Sequence, residues 1–181
     1  MKYILFFILT FFLFADLLSQ QKVAYFNHTQ VIFLIGEESE DNLQKATIPS
    51  FQTINGIRIG DKWGLGIGIG ADPLEYKIYP VFGSIHYFFI NLKHNPFLAI
   101  KLGHAFTNSN KKIFYDDFDH KGGLMFNPEV GVRLKIFDFE MTLSGGYRFQ
   151  RLKSDIKQQG AYIYQREVEY NRISFALGVL F

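Results

Sequence analysis

The chain of 181 residues contains no cysteine. That excludes a disulfide framework and a lipid-modified N-terminal cysteine, so stability has to come from something other than cross-links. Charge of one sign is also scarce in excess: the net charge is +2, which excludes the broad basic surface of a nucleic-acid-binding protein. Past the N-terminus there is no second long apolar run, hence no transmembrane helix, and helical periodicity is hard to find. What the sequence does have is aromatic residues. Phe (21) and Tyr (10) carry most of an 18% aromatic content, heavy for a soluble domain.

The opening stretch MKYILFFILTFFLFADLLSQ places Lys2 before an apolar run from Tyr3 to Ala15. The run is too short to span a bilayer comfortably and gives way to small and polar residues. It reads as a secretory signal peptide over residues 1–20, leaving a single mature domain over 21–181.

Within that domain period-two alternation recurs between turn residues. In RISFALGVLF, Ile173, Phe175, Leu177, Val179 and Phe181 fall on one side, and Arg172, Ser174, Ala176 and Gly178 on the other. LMFNPEVGVRLKI, FEMTLSGGYRFQ, FLAIKLGHAF and WGLGIGIG alternate in the same way. Weaker candidates at about 28–36, 50–60 and 77–89 bring the number of strands to eight. Short connections (DK, INLKHNP, FD) take turns with longer polar ones (EESEDNLQKA, TNSNKKIFYDDFDHKG, RLKSDIKQQGAYIYQRE), and only DPLE breaks the trend. The fold class expected is all-β, a closed antiparallel up-and-down barrel of eight strands.

Two arrangements of such strands compete. A soluble barrel of the lipocalin type would turn the apolar face inward around a greasy ligand, but an eight-stranded interior is only wide enough for side chains or one small molecule. The apolar parity carries Trp, Phe, Leu, Ile and Tyr at most positions, which crowds that space. The opposite parity mixes Gly64, Gly66, Gly68, Gly70, Gly103, Gly131 and Gly146 with Arg58, Lys101, Glu129, Arg133, Glu140, Arg148 and Arg172. Glycine weakens a strand and has no purpose on a wet surface, whereas in a narrow lumen it makes room for a long charged side chain from across the barrel. The seven charged residues are therefore expected as a lumen network, acids paired with bases as burial requires. The greasy face then meets lipid, and the backbone pairing has to close around the ring.

The signal peptide, YPVFGSIHYFF followed after a short turn by NPFLAIKLGHAF, and the terminal Phe181 behind alternating apolar residues together resemble the small outer-membrane β-barrels of Gram-negative bacteria. These are porin-like domains whose best-known members are eight-stranded. The resemblance covers the whole mature chain. It implies an outer-membrane location, contact with outer-membrane lipid and lipopolysaccharide, and a C-terminal aromatic strand (Phe175, Phe181) of the kind read by the barrel-assembly machinery. It says little about activity.

Other sites are weighed on their residues. The glycines of WGLGIGIGAD recur at every second position with no helix to follow, so they are lumen packing and not a phosphate cradle. Asp116, Asp117, Asp119 and His120 lack the spacing of a calcium loop, and neighbouring lysines neutralise them. Ser84 and His86 share a strand face, with Glu129 or Glu140 as a conceivable acid for a lipid A-modifying enzyme, but a hydrogen-bond network is the simpler reading. Trp63, Tyr76, Tyr79, Tyr87, Phe88, Phe89, Tyr147, Tyr162 and Tyr164 suit interfacial girdles. The expectation is a non-enzymatic monomer without metal or cofactor, offering its outer loops to an extracellular partner. The alternatives are a barrel enzyme acting on lipid A and a soluble carrier.

Overall fold

The structure, a computed structural model, describes residues 22–39, 42–73, 77–89, 95–107, 110–113, 116–136, 139–158 and 161–181, the side chains within 37–46, 110–121 and 154–166 excepted. Residues 1–20, read as a signal peptide, lie outside them. Ten strands follow in chain order: β1 (Val23–Ser39), β2 (Asn42–Ile59), β3 (Trp63–Pro73), β4 (Lys77–Phe88), β5 (Pro96–Thr107), β6 (Asn110–Ile113), β7 (Asp116–Lys121), β8 (Gly123–Ile136), β9 (Phe139–Gln158) and β10 (Ala161–Leu180). All pair antiparallel.

Eight of them close a ring, β1-β2-β3-β4-β5-β8-β9-β10, with β10 returning to β1. The seam is continuous from His28 opposite Leu180 to Gly36 opposite Arg172, and beyond it Asn27 and Phe181 exchange backbone hydrogen bonds. Closure leaves no sheet edge in the apolar band, as hydrocarbon demands. The stagger can be read from the register. Leu180 faces His28, then in turn Ile54, Gly68, Phe82, Gly103, Met125, Gln150 and finally Tyr170, back on β10 ten residues away (180 − 170). Each change of strand thus climbs a little more than one residue, so the strands run tilted to the barrel axis.

The expected alternation sets the two faces. On β10 Ile173, Phe175, Leu177 and Phe181 point outward, Phe181 being 69% exposed, while Arg172, Ser174, Ala176 and Leu180 are buried. Trp63, Leu65, Ile67 and Ile69 of β3, Leu98, Ile100 and Leu102 of β5, and Phe139, Leu143 and Tyr147 of β9 do the same. From Ile173 to Phe181 the band is nine residues high, the ~9–11 expected of a tilted spanning strand. Above it on β9 and β10 the outward residues turn charged. Arg151 pairs with Glu169 at 2.5 Å and Lys153 with Glu167 at 2.7 Å.

Those ion pairs mark a correction. The polar stretch RLKSDIKQQGAYIYQRE is read from sequence as a long loop, but most of it continues β9 and β10. EESEDNLQKA is likewise mostly the tip of β1 and β2, and the segment between β5 and β8 folds into the hairpin β6–β7, with β7 lying against β9. On β9 and β10 the outward residues here, Arg151, Lys153, Glu167 and Glu169, are charged, so the apolar alternation that marks a spanning strand is missing. The result is a crown above the band in the order β2-β1-β10-β9-β7-β6, while β3 and β4 stop short at Pro73 and Lys77.

Candidate functional site

The interior is layered along the axis. At the rim where β1 begins and β10 ends, Arg133 Nη1 lies 3.1 Å and Arg58 Nη2 3.9 Å from the same oxygen of Glu140. Both guanidiniums rest on the ring of Phe88, at 4.5 and 5.0 Å from its centre. Cation–π contact and ion pairing act together here.

Behind them sits an aromatic layer. Phe26, Phe88 and Phe97 are buried with His86, which stacks on Phe88 at 5.8 Å. His86 Nε2 is 3.4 Å from His28 Nδ1, and His28 Nε2 is 2.9 Å from Thr142 Oγ1. Phe88 is thus a lumen residue, 1% exposed, and not a girdle residue as its place near a strand end suggests. Strand parity decides: Tyr87 and Phe89 point out and form edge-to-face contacts with Trp63 and each other, at 4.8 and 5.0 Å. Tyr79 and Tyr147 also face out. Tyr76 lies outside the described residues, as do the side chains of Tyr162, Tyr164, Asp116, Asp117, Asp119 and His120.

The middle layer is polar. Lys101 Nζ donates to Glu129 Oε1 at 2.6 Å, Gln30 Oε1 at 2.6 Å and Gln52 Oε1 at 3.2 Å. Three donors meet three acceptors in a pair whose side chains are 0% and 1% exposed. Above it Arg148 Nη1 donates to Asp72 Oδ2 at 2.9 Å, and the Ser50 hydroxyl donates to the other Asp72 oxygen. Arg172 lies over the ring of Tyr170 at 4.5 Å. A last apolar cluster of Ile78, Ala105, Leu152 and Tyr170 caps the stack.

The seven charged residues expected in the lumen are thus brought together in separate groups rather than one network: Arg58, Arg133 and Glu140 at the rim, Lys101 with Glu129 in the middle, and Arg148 and Arg172 higher up. Sequence reasoning misses Asp72, taken as part of the turn DPLE. Its signal was available, since Asp72 continues the phase of Gly64, Gly66, Gly68 and Gly70. It also misses Gln30 and Gln52, and it misjudges the β3 glycines. A Cβ on Gly68 would come within 2.4 Å of the Phe82 ring, and one on Gly64 within 3.2 Å of Phe88 and 3.3 Å of Phe26. These glycines admit aromatic rings; Gly146, whose Cβ would sit 2.9 Å from Glu129 Cγ, admits a charged chain. The Ser84 hydroxyl donates to the Gly66 carbonyl at 3.4 Å, and His86 contacts His28. The two do not meet at an open rim.

The described residues make a closed eight-stranded transmembrane β-barrel. Three solved structures share this fold. Neisserial surface protein A is 16% identical over 88% of this chain and 99% of its own, with a TM-score of 0.55. OprG, an outer-membrane protein of Pseudomonas aeruginosa, is 10% identical over 86% and 94%, with a TM-score of 0.53. The outer-membrane protein AlkL, determined by solid-state NMR in DMPC bilayers, is 14% identical over 89% of each chain, with a TM-score of 0.50. No family model matches the sequence, and no curated protein matches it. The chain is similar in fold to these small outer-membrane β-barrels, and its exterior is greasy over the spanning band. The soluble carrier, which needs the opposite face turned out, falls away.

Proposed function

We propose that the chain is a non-enzymatic barrel of the outer membrane with a lumen closed to general diffusion, acting through its crown on a partner at the cell surface. The interior carries this reading: aromatic rings fill one end, Ile78, Leu152 and Tyr170 the other, and the buried Lys101–Glu129 and Arg148–Asp72 pairs lie between. Eight-stranded barrels are just wide enough for side chains to fill, while open aqueous channels belong to barrels of about sixteen strands. The charged hairpin of β9 and β10 supports the surface role, since it stands clear of the apolar band. The outward row ending in Phe175 and Phe181 is suited to recognition by the assembly machinery, and the crown base to contact with lipopolysaccharide.

Reconstitution of the purified chain in planar bilayers tests the closed lumen. The expected record shows no sustained open-pore current; steady ohmic conductance of porin size overturns it. Lipid A mass spectra from cells with and without the gene test the absence of lipid chemistry, with an unchanged profile expected.

A further inference from the structure

Among the described residues the apolar band carries one polar cluster, apart from the lone exposed His104 at its upper edge on β5. On β1 and β2 the outward positions Asn27, Thr29, Thr53 and Asn55 are polar, and they form two directly opposed pairs, Asn27 with Asn55 and Thr29 with Thr53. Val179 at the lower edge of the band faces Thr29, and Thr29 faces Thr53. With a climb of just over one residue per strand, Thr53 lies close to the middle of the band. Below the level of His104 the other described outward positions of the band are apolar side chains, glycine or proline.

The four side chains, with Tyr25 below them, are already tied together. Asn27 Nδ2 donates to Asn55 Oδ1 at 2.9 Å and to Thr53 Oγ1 at 3.3 Å. The Thr29 hydroxyl donates to Asn27 Oδ1 at 2.9 Å and lies 2.9 Å from Thr53 Oγ1, and the Tyr25 hydroxyl donates to Asn55 Oδ1 at 2.6 Å. This uses the Asn27 amide donors and the Asn55 carbonyl, but Asn55 Nδ2 makes none of these bonds and Asn55 is exposed. An amide donor turned to hydrocarbon is costly, and polar side chains at membrane depth are found where another protein surface or water meets them.

We propose that the β1–β2 wall is the contact face of a homodimer in the membrane. A second copy is the occupant the patch fits. Inserted in the same orientation, it presents the same groups at the same depth, and a two-fold axis along the membrane normal sets the patch on itself. The patch holds donors and acceptors both, so Asn55 Nδ2 of each copy finds an amide or hydroxyl oxygen on the other. Val31, Ile57 and Ile67 flank it with exposed apolar surface. A lipid chain offers the amide nothing. The proposal departs from the monomer expected from the sequence.

The absence of cysteine makes the test clean. Ile57→Cys beside the patch and Leu102→Cys on the far wall are made singly in the full chain, inserted in phospholipid vesicles, and oxidised with a membrane-permeant catalyst. Ile57→Cys is expected to form a disulfide dimer of twice the chain mass at least about tenfold faster than Leu102→Cys. Adding Asn27→Leu and Asn55→Leu, which suit lipid better, is expected to leave heat-modifiable barrel mobility intact and to slow the Ile57→Cys cross-link at least tenfold. Equal rates at the two cysteines, an unslowed cross-link in the leucine variant, or in whole cells a cross-link only to a protein of another mass each overturn the proposal.

Discussion

Replacing Lys101 with Met removes the cation from the centre of the barrel while keeping most of its length. Lys101 Nζ has three acceptors, and Glu129, the one that is charged, is itself buried and would keep only the 3.5 Å contact from Gln30 Nε2. Breaking a buried pair from one side costs about 3–5 kcal/mol, since the remaining charge stays desolvated. That lowers the folded-to-unfolded ratio by roughly two to three and a half orders of magnitude. Converting Glu129 to Gln in the same chain removes the stranded charge and is expected to return stability to within ~1 kcal/mol of the native protein, because neutral replacement of a whole buried pair is often tolerated. By double-mutant cycle the coupling between the two sites is then at least about 2–4 kcal/mol, with the loss for Glu129→Gln alone adding to it. Equilibrium urea unfolding in phospholipid vesicles reads this out through Trp63, the single tryptophan, which faces lipid and changes its environment when the barrel leaves the bilayer. A loss below ~1 kcal/mol for Lys101→Met alone, with no recovery in the double variant, would mean that water already solvates Glu129. The sealed interior and the closed lumen would then both be wrong.

Gly68→Val places branched carbon against the Phe82 ring, 2.4 Å from a would-be Cβ, and is expected to cost ~1–3 kcal/mol in the same unfolding assay; Gly83→Val, whose Cβ would meet nothing nearer than 3.9 Å, serves as the tolerant counterpart. Leu143→Arg puts a cation on the lipid face inside the band and is expected to lose ~2–4 kcal/mol and to assemble poorly, measured as the heat-modifiable fraction in membranes. In the crown, the hydrogen bond from Lys153 holds the Glu167 carboxyl below its ordinary range, with the Lys153 charge adding to it. A lowered carboxyl pKa stabilises the hairpin at pH values above the unfolded value of about 4.3 and ceases to do so as pH falls through the folded value. Protection of the upper β9 and β10 amides, corrected for intrinsic exchange, should accordingly drop on acidification and should be insensitive to it in Glu167→Gln.

The exterior was legible because lipid imposes one rule on every outward position. Ile173, Phe175, Leu177, Leu143 and Ile100 announce their side wherever the inner parity is small or polar. The interior obeys no such rule, since a packed lumen accepts a ring as readily as a paired charge. In β1, Ile32 and Leu34 face inward beside Val31 and Phe33 facing outward, so both parities are apolar and the alternation vanishes. The same indifference hid Phe88 among the girdle residues. The partition of the charged residues into groups depends on stagger: which strand's Glu meets which Lys follows from the ten-residue climb, not from spacing along the chain. The polar patch of Asn27 and Asn55 escaped for the opposite reason. Each residue alone looks like a strand irregularity, and only the register shows that the two lie opposite each other.

Because β3 and β4 end low while β2, β1, β10, β9 and β7 rise around them, the crown is a palisade with a gap. Anything large arriving from outside meets tall walls on most bearings and a low sill at Pro73 and Lys77. A partner of the kind proposed above would have one open bearing of approach, with the layer of Ile78 and Leu152 on the threshold.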